Sequence, residues 1–478
     1  LNVLFAAAEC TPFVKIGGLA DVVGSLPQAL KRLRRCEVRV VMPKYRSIPN
    51  RYRRRMETVA RFTIELGAKQ EVYAGLQTLR LHGVRYYFID NEFLFGRDKV
   101  YDYGDESERF AFFQKAAVEA IRFMEFVPDV IHVHDWHAAM IPLLLKTKYR
   151  EALPRVKTVL TIHNLAYQGI FTLQDHALFN IDFDNRFEFE GCLNFLKCGI
   201  VSADVITTVS TTYAKEIMTD YYGYGMQKLL AWRAAAVKGI MNGISTKDFD
   251  PATDTTLPAR YGIDDFETGK DACKAALYDR LKADFPLASP LVGIVSRLVG
   301  QKGLDLVERV LEEMLETDDF RLVVLGDGER KYIEFFKRVA QAHPDRVCAV
   351  IGYDDALARN IYAASDLFLM PSKFEPCGLG QLIAMRYGTL PLVRETGGLV
   401  DSVRPYNEYE NTGTGFSFTA FNAHDMMHVL RYAFAVRRER RDAWNAMVKR
   451  ATQADFSWES SARDYKELYR KLIRGKGV

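Results

Sequence analysis

The chain has 478 residues, 26% of them charged and 48% hydrophobic, with a formal net charge of +4. That is the balance of a soluble globular protein; at roughly 150 residues per domain it suggests two to four units, and so small a charge does not indicate a protein-wide nucleic-acid footprint. The seven cysteines are odd in number and no pair has CxxC spacing, which favours reduced thiols over a disulfide framework or a structural zinc site.

The chain opens on a strand, residues 3–8, with no initiator Met and no signal peptide in view. Further apolar runs follow at 38–42, 86–89, 130–133, 158–162 and 205–209, each trailed by a helical pattern. After residue 244 the theme starts again, at 291–295, 322–325, 347–351, 367–370 and 390–393. Continuous Val, Ile and Leu runs alternating with helices predict parallel sheets covered on both faces. Two series of strands predict an α/β chain of two doubly wound domains, each of roughly 200 residues. The boundary is expected just after residues 239–244, and the aperiodic, polar stretch 248–267 reads as a surface connection. In the tail, Tyr465, Leu468, Tyr469 and Leu472 share one helical stripe that needs cover. No apolar run approaches the roughly 20 residues that span a bilayer. Residues 31–55 hold eleven Lys or Arg and a single acid, Glu37; a solvated helix end and loop is the preferred reading over a polyanion patch.

Five segments carry residues suited to chemistry. Lys15-Ile-Gly-Gly-Leu-Ala-Asp21 lies between the first strand and a helix, where Gly17 and Gly18 permit close backbone approach and the helix N-terminus offers N–H groups to a phosphate. It is neither GxGxxG nor a Walker loop, which weakens dehydrogenase and P-loop readings. His132-Val-His134-Asp135-Trp136-His137 closes another strand; its three histidines invite a metal reading, although Asp135 is misplaced for the usual metallo-hydrolase arrangement, and a polar cleft lining is preferred. Thr161-Ile-His163-Asn164 also ends a strand, where open α/β sheets bind ligands. Arg297 and Lys302 flank a Gly-containing turn into a helix and suit a diphosphate clamp. Glu375-Pro-Cys377-Gly378-Leu379-Gly380 places an acid at a strand end, able to accept from two sugar hydroxyls, beside main-chain N–H groups. Thr396-Gly-Gly-Leu399 repeats the double glycine of the first segment and suggests a second ligand-facing turn.

Read together, Lys15-x-Gly-Gly-Leu-Ala-Asp21, His134-Asp-Trp136, Thr161-Ile-His-Asn164, Asn242-Gly-Ile244, Arg297…Lys302 and Glu375-Pro-Cys-Gly-Leu379 closely resemble the bacterial glycogen synthase and plant starch synthase family, over essentially the whole chain. The resemblance implies the GT-B fold: two Rossmann-like, doubly wound domains facing across a deep cleft, residues 1–242 and 243–455, with a C-terminal helix in 456–478 crossing back to the first. It implies transfer of glucose from ADP-glucose to the non-reducing end of an α-1,4-glucan, with retention, no metal, no cofactor, no nucleic-acid or membrane partner, and a cytoplasmic location, or a plastid for a eukaryotic homologue whose leader is removed. On that resemblance Lys15, Gly17 and Gly18 meet the donor from the first domain, and Arg297 and Lys302 meet its phosphates from the second. His163 lines the glucose site with Asn164 beside it. Asp135 and Asn242 hold sugar hydroxyls. Glu375, Cys377, Gly378, Leu379 and Gly380 cradle the glucose, and Tyr353 meets the adenine.

Four positions depart from the family pattern: Ile16 and Ser245 where Thr and Asp are usual, Gly380 in place of Thr or Ser, and Thr211 in place of Pro. None removes a charged site residue. Three other readings differ in class: another retaining GT-B transferase such as a sucrose-forming enzyme, a metal-dependent hydrolase built on His132, His134 and His137, and a silent glucan-binding protein, which the intact charged positions argue against.

Overall fold

A computed structural model describes residues 1–68 and 70–475, with Gln70 described by its backbone alone. The chain divides into two compact units, Leu1–Asn242 with Trp458–Val478, and Gly243–Ser457. The last three residues of the expected C-terminal segment lie outside the described residues.

The first unit is built on a nine-stranded sheet. From one edge to the other it runs Val237–Gly239, Val205–Thr208, Lys157–Ile162, Val130–His134, Asn2–Ala6, Glu37–Pro43, Val84–Asp90, Gln70–Leu81 and Glu57–Leu66. The first seven pair in parallel. Val3, Leu4, Phe5 and Ala6 are all at most 1% exposed, which is why this strand reads as an unbroken apolar run: a parallel sheet is covered on both faces. The remaining two strands form an antiparallel extension. Glu57–Leu66 shows an exposed first half and buries only Ile64 and Leu66, so it carries no continuous apolar run and is absent from the sequence reading. A small three-stranded sheet, Ile170–Phe171, Cys192–Asn194 and Glu188–Phe189, is likewise new.

Helix Gly18–Arg32 buries Leu19, Val22, Val23, Leu26 and Leu30, the spacing of one helical face. The last helix, Trp458–Ile473, packs on it and buries Tyr465, Leu468, Tyr469 and Leu472 together with Trp458 and Ala462. The tail stripe therefore finds its cover in the first unit.

The second unit holds a six-stranded, all-parallel sheet in the order Val347–Ile351, Arg321–Gly326, Leu291–Val295, Leu367–Met370, Leu390–Arg394 and Phe416–Phe418. In both sheets the strand order reverses beside the first strand of the unit. In the first unit the switch lies between Asn2–Ala6 and Val130–His134; in the second, between Leu291–Val295 and Leu367–Met370. Open α/β sheets bind ligands outside the carboxyl ends of the strands at such a point. No helix among the described residues is long and apolar enough to cross a membrane.

The basic segment 31–55 is partly neutralised. Lys31 pairs with Glu37, Arg32 with Glu459, Lys44 with Asp90 and Arg46 with Asp98, while Arg39 lies over the Phe126 ring. A patch so tied to local acids is a solvated face.

Candidate active site

At the first switch point, the segment after Asn2–Ala6 returns to Gly18–Arg32 through residues 9–17. Glu9, only 4% exposed, accepts hydrogen bonds from the Ile16 N–H at 2.6 Å and the Gly17 N–H at 3.0 Å, and its second oxygen accepts from the Tyr101 hydroxyl at 2.7 Å. Glu9 thus shapes the double-glycine turn, a role the sequence signalled only by an acid ending a fully apolar strand. Lys15 pairs with Asp21 at 2.8 Å across the first turn of the helix. A Cβ built on Gly17 or Gly18 would meet no protein atom within 4 Å. Packing within the chain therefore does not demand these glycines, and their open space leaves room for close approach of a ligand.

Across the switch point, Asp135 follows Val130–His134 with φ of 54°, a left-handed conformation that costs a non-glycine residue energy and persists only where its surroundings hold it. Its N–H donates to the Thr161 carbonyl at 2.9 Å, and its Oδ1 accepts from the His163 N–H at 2.7 Å. The two strand-end segments singled out in the sequence are therefore bonded to each other. Burial is the main influence on the Asp135 carboxyl and pushes its pKa up to about 7, opposed by the His163 N–H and reinforced by the charge of Glu9. Asn164 Oδ1 accepts from the Ala166 N–H at 3.1 Å, while the buried Asn242 Oδ1 has no hydrogen-bond partner. Gln168, in the same segment, donates to the Tyr224 carbonyl at 2.9 Å and accepts from Asn194 at 2.8 Å, which anchors the loop after His163.

The histidine cluster does not converge on one point. His132 is fully buried; its Nδ1 meets the Tyr469 hydroxyl at 2.7 Å and its Nε2 the Thr161 hydroxyl at 2.5 Å, so both ring nitrogens are engaged. His134 Nδ1 meets His163 Nε2 at 2.9 Å. His137 stacks on Trp136 with centroids 3.9 Å apart and lies edge-on to Phe110. Among the described residues no group of three or more His, Cys, Asp or Glu is arranged to hold a metal ion. Burial holds the pKa values of all four histidines below their ordinary value, to about 3 for His137 and His163, so each ring is neutral near pH 7.

In the second unit the loops that end Leu291–Val295 and Leu367–Met370 are laced together. The Lys373 N–H donates to the Gln301 carbonyl at 2.9 Å, and Gln301 Nε2 to the Phe374 carbonyl at 3.2 Å. Lys302 Nζ then meets Glu375 Oε2 at 2.5 Å, and the Ser372 hydroxyl donates to the same oxygen at 3.1 Å. Lys302 and Glu375, 73 residues and three strands apart in the chain, form one largely buried pair across the switch point. Arg297 is exposed and makes no ion pair among the described residues.

Gly378 has φ of 71°, and Cys377 is buried. Gln381 Nε2 donates to the carbonyls of Cys377 at 3.0 Å and Gly378 at 2.9 Å, fixing this turn from behind. Gly380 starts a short helix, Gly380–Arg386, and a Cβ there would come within 2.9 Å of the Phe368 ring; local packing, with Phe368 filling the space, accounts for the missing hydroxyl. Tyr353 is 80% exposed beyond the edge strand Val347–Ile351. The structure corrects one expectation. Gly397 and Gly398 do not form a second ligand-facing turn: they are buried, a Cβ on them would lie 2.0 Å from the Glu375 carbonyl oxygen and 2.2 Å from that of Cys377, and the Gly398 N–H donates to the Glu375 carbonyl at 3.1 Å. They are the floor on which the Glu375 loop rests. Of the other departures, Ile16 is exposed, Ser245 accepts from the Asp248 N–H, and Thr211 opens a helix capped by Ser210.

Both halves of the chain match known proteins. The family described as starch synthase catalytic domain matches residues 2–232, and glycosyl transferases group 1 matches residues 279–450. A curated relative named glycogen synthase, from Bacillus subtilis (strain 168), is 47% identical over 99% of both chains. The solved catalytic domain of starch synthase IV from Arabidopsis thaliana, bound to ADP and acarbose, is 33% identical and superposes with a TM-score of 0.91 over 99% of each chain. Sucrose-phosphate synthase from Thermosynechococcus elongatus, at 17% identity and a TM-score of 0.64 over 99% of this chain and 100% of its own, shares the fold alone. The chain belongs to the glycogen synthase and starch synthase family, and is a glycosyltransferase with two Rossmann-like units of the GT-B class.

Proposed function

We propose that this protein extends an α-1,4-glucan by transferring glucose from ADP-glucose to the non-reducing end, with retention of configuration. The observation that carries the reading is the Lys302–Glu375 pair at the switch point of the second sheet, a cation and a hydroxyl acceptor held in one place by two laced loops. In that unit, Arg297 and Lys302 bind the donor's phosphates, Glu375 accepts from glucose hydroxyls, Cys377, Gly378, Leu379 and Gly380 line the sugar, and exposed Tyr353 stacks against adenine. In the first unit, Lys15, Gly17 and Gly18 approach phosphate and sugar, and Asp135, Asn164 and Asn242 hold hydroxyls. His163 lines the glucose site through its ring and its main-chain carbonyl.

The chemistry so arranged is mainly electrostatic. Charge grows on the diphosphate as it leaves, and fixed guanidinium and ammonium groups stabilise that charge in the transition state more than in the ground state. No side chain is assigned as a nucleophile: the acceptor hydroxyl attacks from the face of the leaving group and a departing phosphate oxygen takes its proton. The reaction is placed in the cytoplasm of a bacterial-type cell, in keeping with the bacterial relatives.

The test is incorporation of labelled glucose into glycogen from ADP-glucose and, separately, from UDP-glucose, each with and without EDTA. Incorporation from ADP-glucose, stronger than from UDP-glucose and insensitive to chelator, is expected. No incorporation from either donor refutes the reading, and preference for UDP-glucose refutes the donor assignment.

A further inference from the structure

His134 is fully buried, and its ring is stacked on Phe5, with centroids 5.2 Å apart and 22° between planes, and close to His132, 4.2 Å away. Its Nδ1 lies 2.9 Å from His163 Nε2, and its Nε2 is buried with no hydrogen-bond partner. Two neutral imidazoles joined nitrogen to nitrogen share one proton along that line, so one ring donates and the other accepts. The two assignments differ in what they leave inside the protein. If His163 donates, the proton of His134 sits on Nε2 as a buried N–H with nothing to bond. If His134 donates from Nδ1, its Nε2 carries only an unused lone pair. Orphaned buried N–H groups are rarer than under-used acceptors, and a lost hydrogen bond at a buried donor costs about 1–3 kcal/mol. Nor does an aromatic face rescue the first arrangement, since Phe5 lies stacked on the ring and the in-plane N–H points past it.

We infer that His134 is a positioning residue that donates from Nδ1 to His163 Nε2 and so fixes His163 as its Nδ1–H tautomer, presenting a hydrogen-bond donor rather than an acceptor to the sugar. The remaining nitrogen of His163 has no partner among the described residues and is not among the buried, unsatisfied atoms, so it is available to a ligand. The His163 main chain is pinned independently by Asp135 at 2.7 Å; backbone and ring are thus oriented by neighbouring residues of one strand end. His132 takes no part in the hydrogen bond: both its nitrogens are spent on Tyr469 and Thr161, and it serves as a wall against which the His134 ring packs at a tilt of 32°. That the recipient of the His163 proton bond is a glucosyl hydroxyl rests on the function proposed above; the tautomer itself does not.

The measurement is long-range ¹H–¹⁵N correlation of the full-length protein with ¹⁵N-labelled histidine, made without substrate, with His163 assigned by loss of its signals in His163→Asn. A protonated Nδ1 and an unprotonated Nε2 are expected at His163, and the reverse pattern overturns the inference whatever the activity. His134→Phe keeps a planar ring in the same slot and removes the donor. It is expected to release His163 into a mixture of tautomers and to lower kcat about tenfold, the effect of roughly one lost hydrogen bond. His134→Asn places an amide N–H where Nδ1 stood and is expected to restore most of that loss. An unchanged His163 tautomer in a folded His134→Phe protein also overturns the inference; should that variant fail to fold, the spectrum of the unaltered protein decides. Absence of glucosyl transfer in the unaltered protein, with the expected tautomer present, would strike the proposed function and leave the positioning role standing.

Discussion

Asp135 shows how much a single residue's setting alters its chemistry. Its ordinary carboxyl pKa is raised to about 7, chiefly by burial. A group that holds its proton more tightly when folded makes the protein lose stability as pH rises from about 4, the unfolded value, through about 7. A shift from 3.8 to about 7 corresponds to something on the order of 4 kcal/mol across that range. Asp135→Asn keeps an oxygen to accept from the His163 N–H and removes the ionisation. Its stability is expected to fall less than the parent's between pH 5 and pH 8, read by denaturant unfolding at each pH, while glucosyl transfer drops. Parallel stability curves for the two proteins would mean that Asp135 does not titrate in this range. The residue was found in the sequence as part of His134-Asp-Trp136, but its left-handed backbone and its bond to His163 were not legible there, because both depend on the neighbouring strand. Glu9 was missed for the same reason: its partners, Ile16, Gly17 and Tyr101, converge on it only in space.

At the scale of elements, two pairs of glycines that look alike in the sequence do opposite work. Gly17 has an extended backbone, with φ of −139°, and open space where a Cβ would go. Gly398 has the Cys377 backbone in that space, 2.2 Å away. Gly17→Ala is therefore expected to leave the stability within about 0.5 kcal/mol of the parent while raising the donor KM. Gly398→Ala is expected to cost about 1–3 kcal/mol or more, as overpacking does, and to lower activity by shifting the Glu375 loop. Calorimetry and donor saturation curves on both variants check this; equal thermal effects would contradict the division of roles. The strands show a parallel lesson. The continuous apolar runs were visible because a strand buried on both faces has no polar alternation. The antiparallel strands Glu57–Leu66 and Gln70–Leu81 were not, because an exposed face dilutes their apolar content.

For the whole molecule, the last helix is the plainest long-range decision. It belongs to the first unit although more than two hundred residues of the second intervene. It buries Trp458, Tyr465, Leu468, Tyr469 and Leu472, about 10 kcal/mol of gross burial, which is comparable to the net stability of a domain. A chain ending at residue 457 is expected to lose the cooperative unfolding of the first unit and to become protease-sensitive there, while the second unit keeps a resistant core; mass spectrometry of limited digests reads the difference, and uniform resistance would count against it. The sequence by itself determined the class of the fold and the location of the chemistry, since short unbroken apolar runs alternating with helical patterns make parallel strands covered on both sides, and polar residues placed just beyond those runs gather at the carboxyl ends. Tertiary structure alone decided which of those residues touch. Lys302 with Glu375, Asp135 with His163 and His134 with His163 are joined by strand order and register, which place loops distant in the chain side by side. No local pattern encodes that order; it is set by how all the strands of a sheet bury their surfaces together.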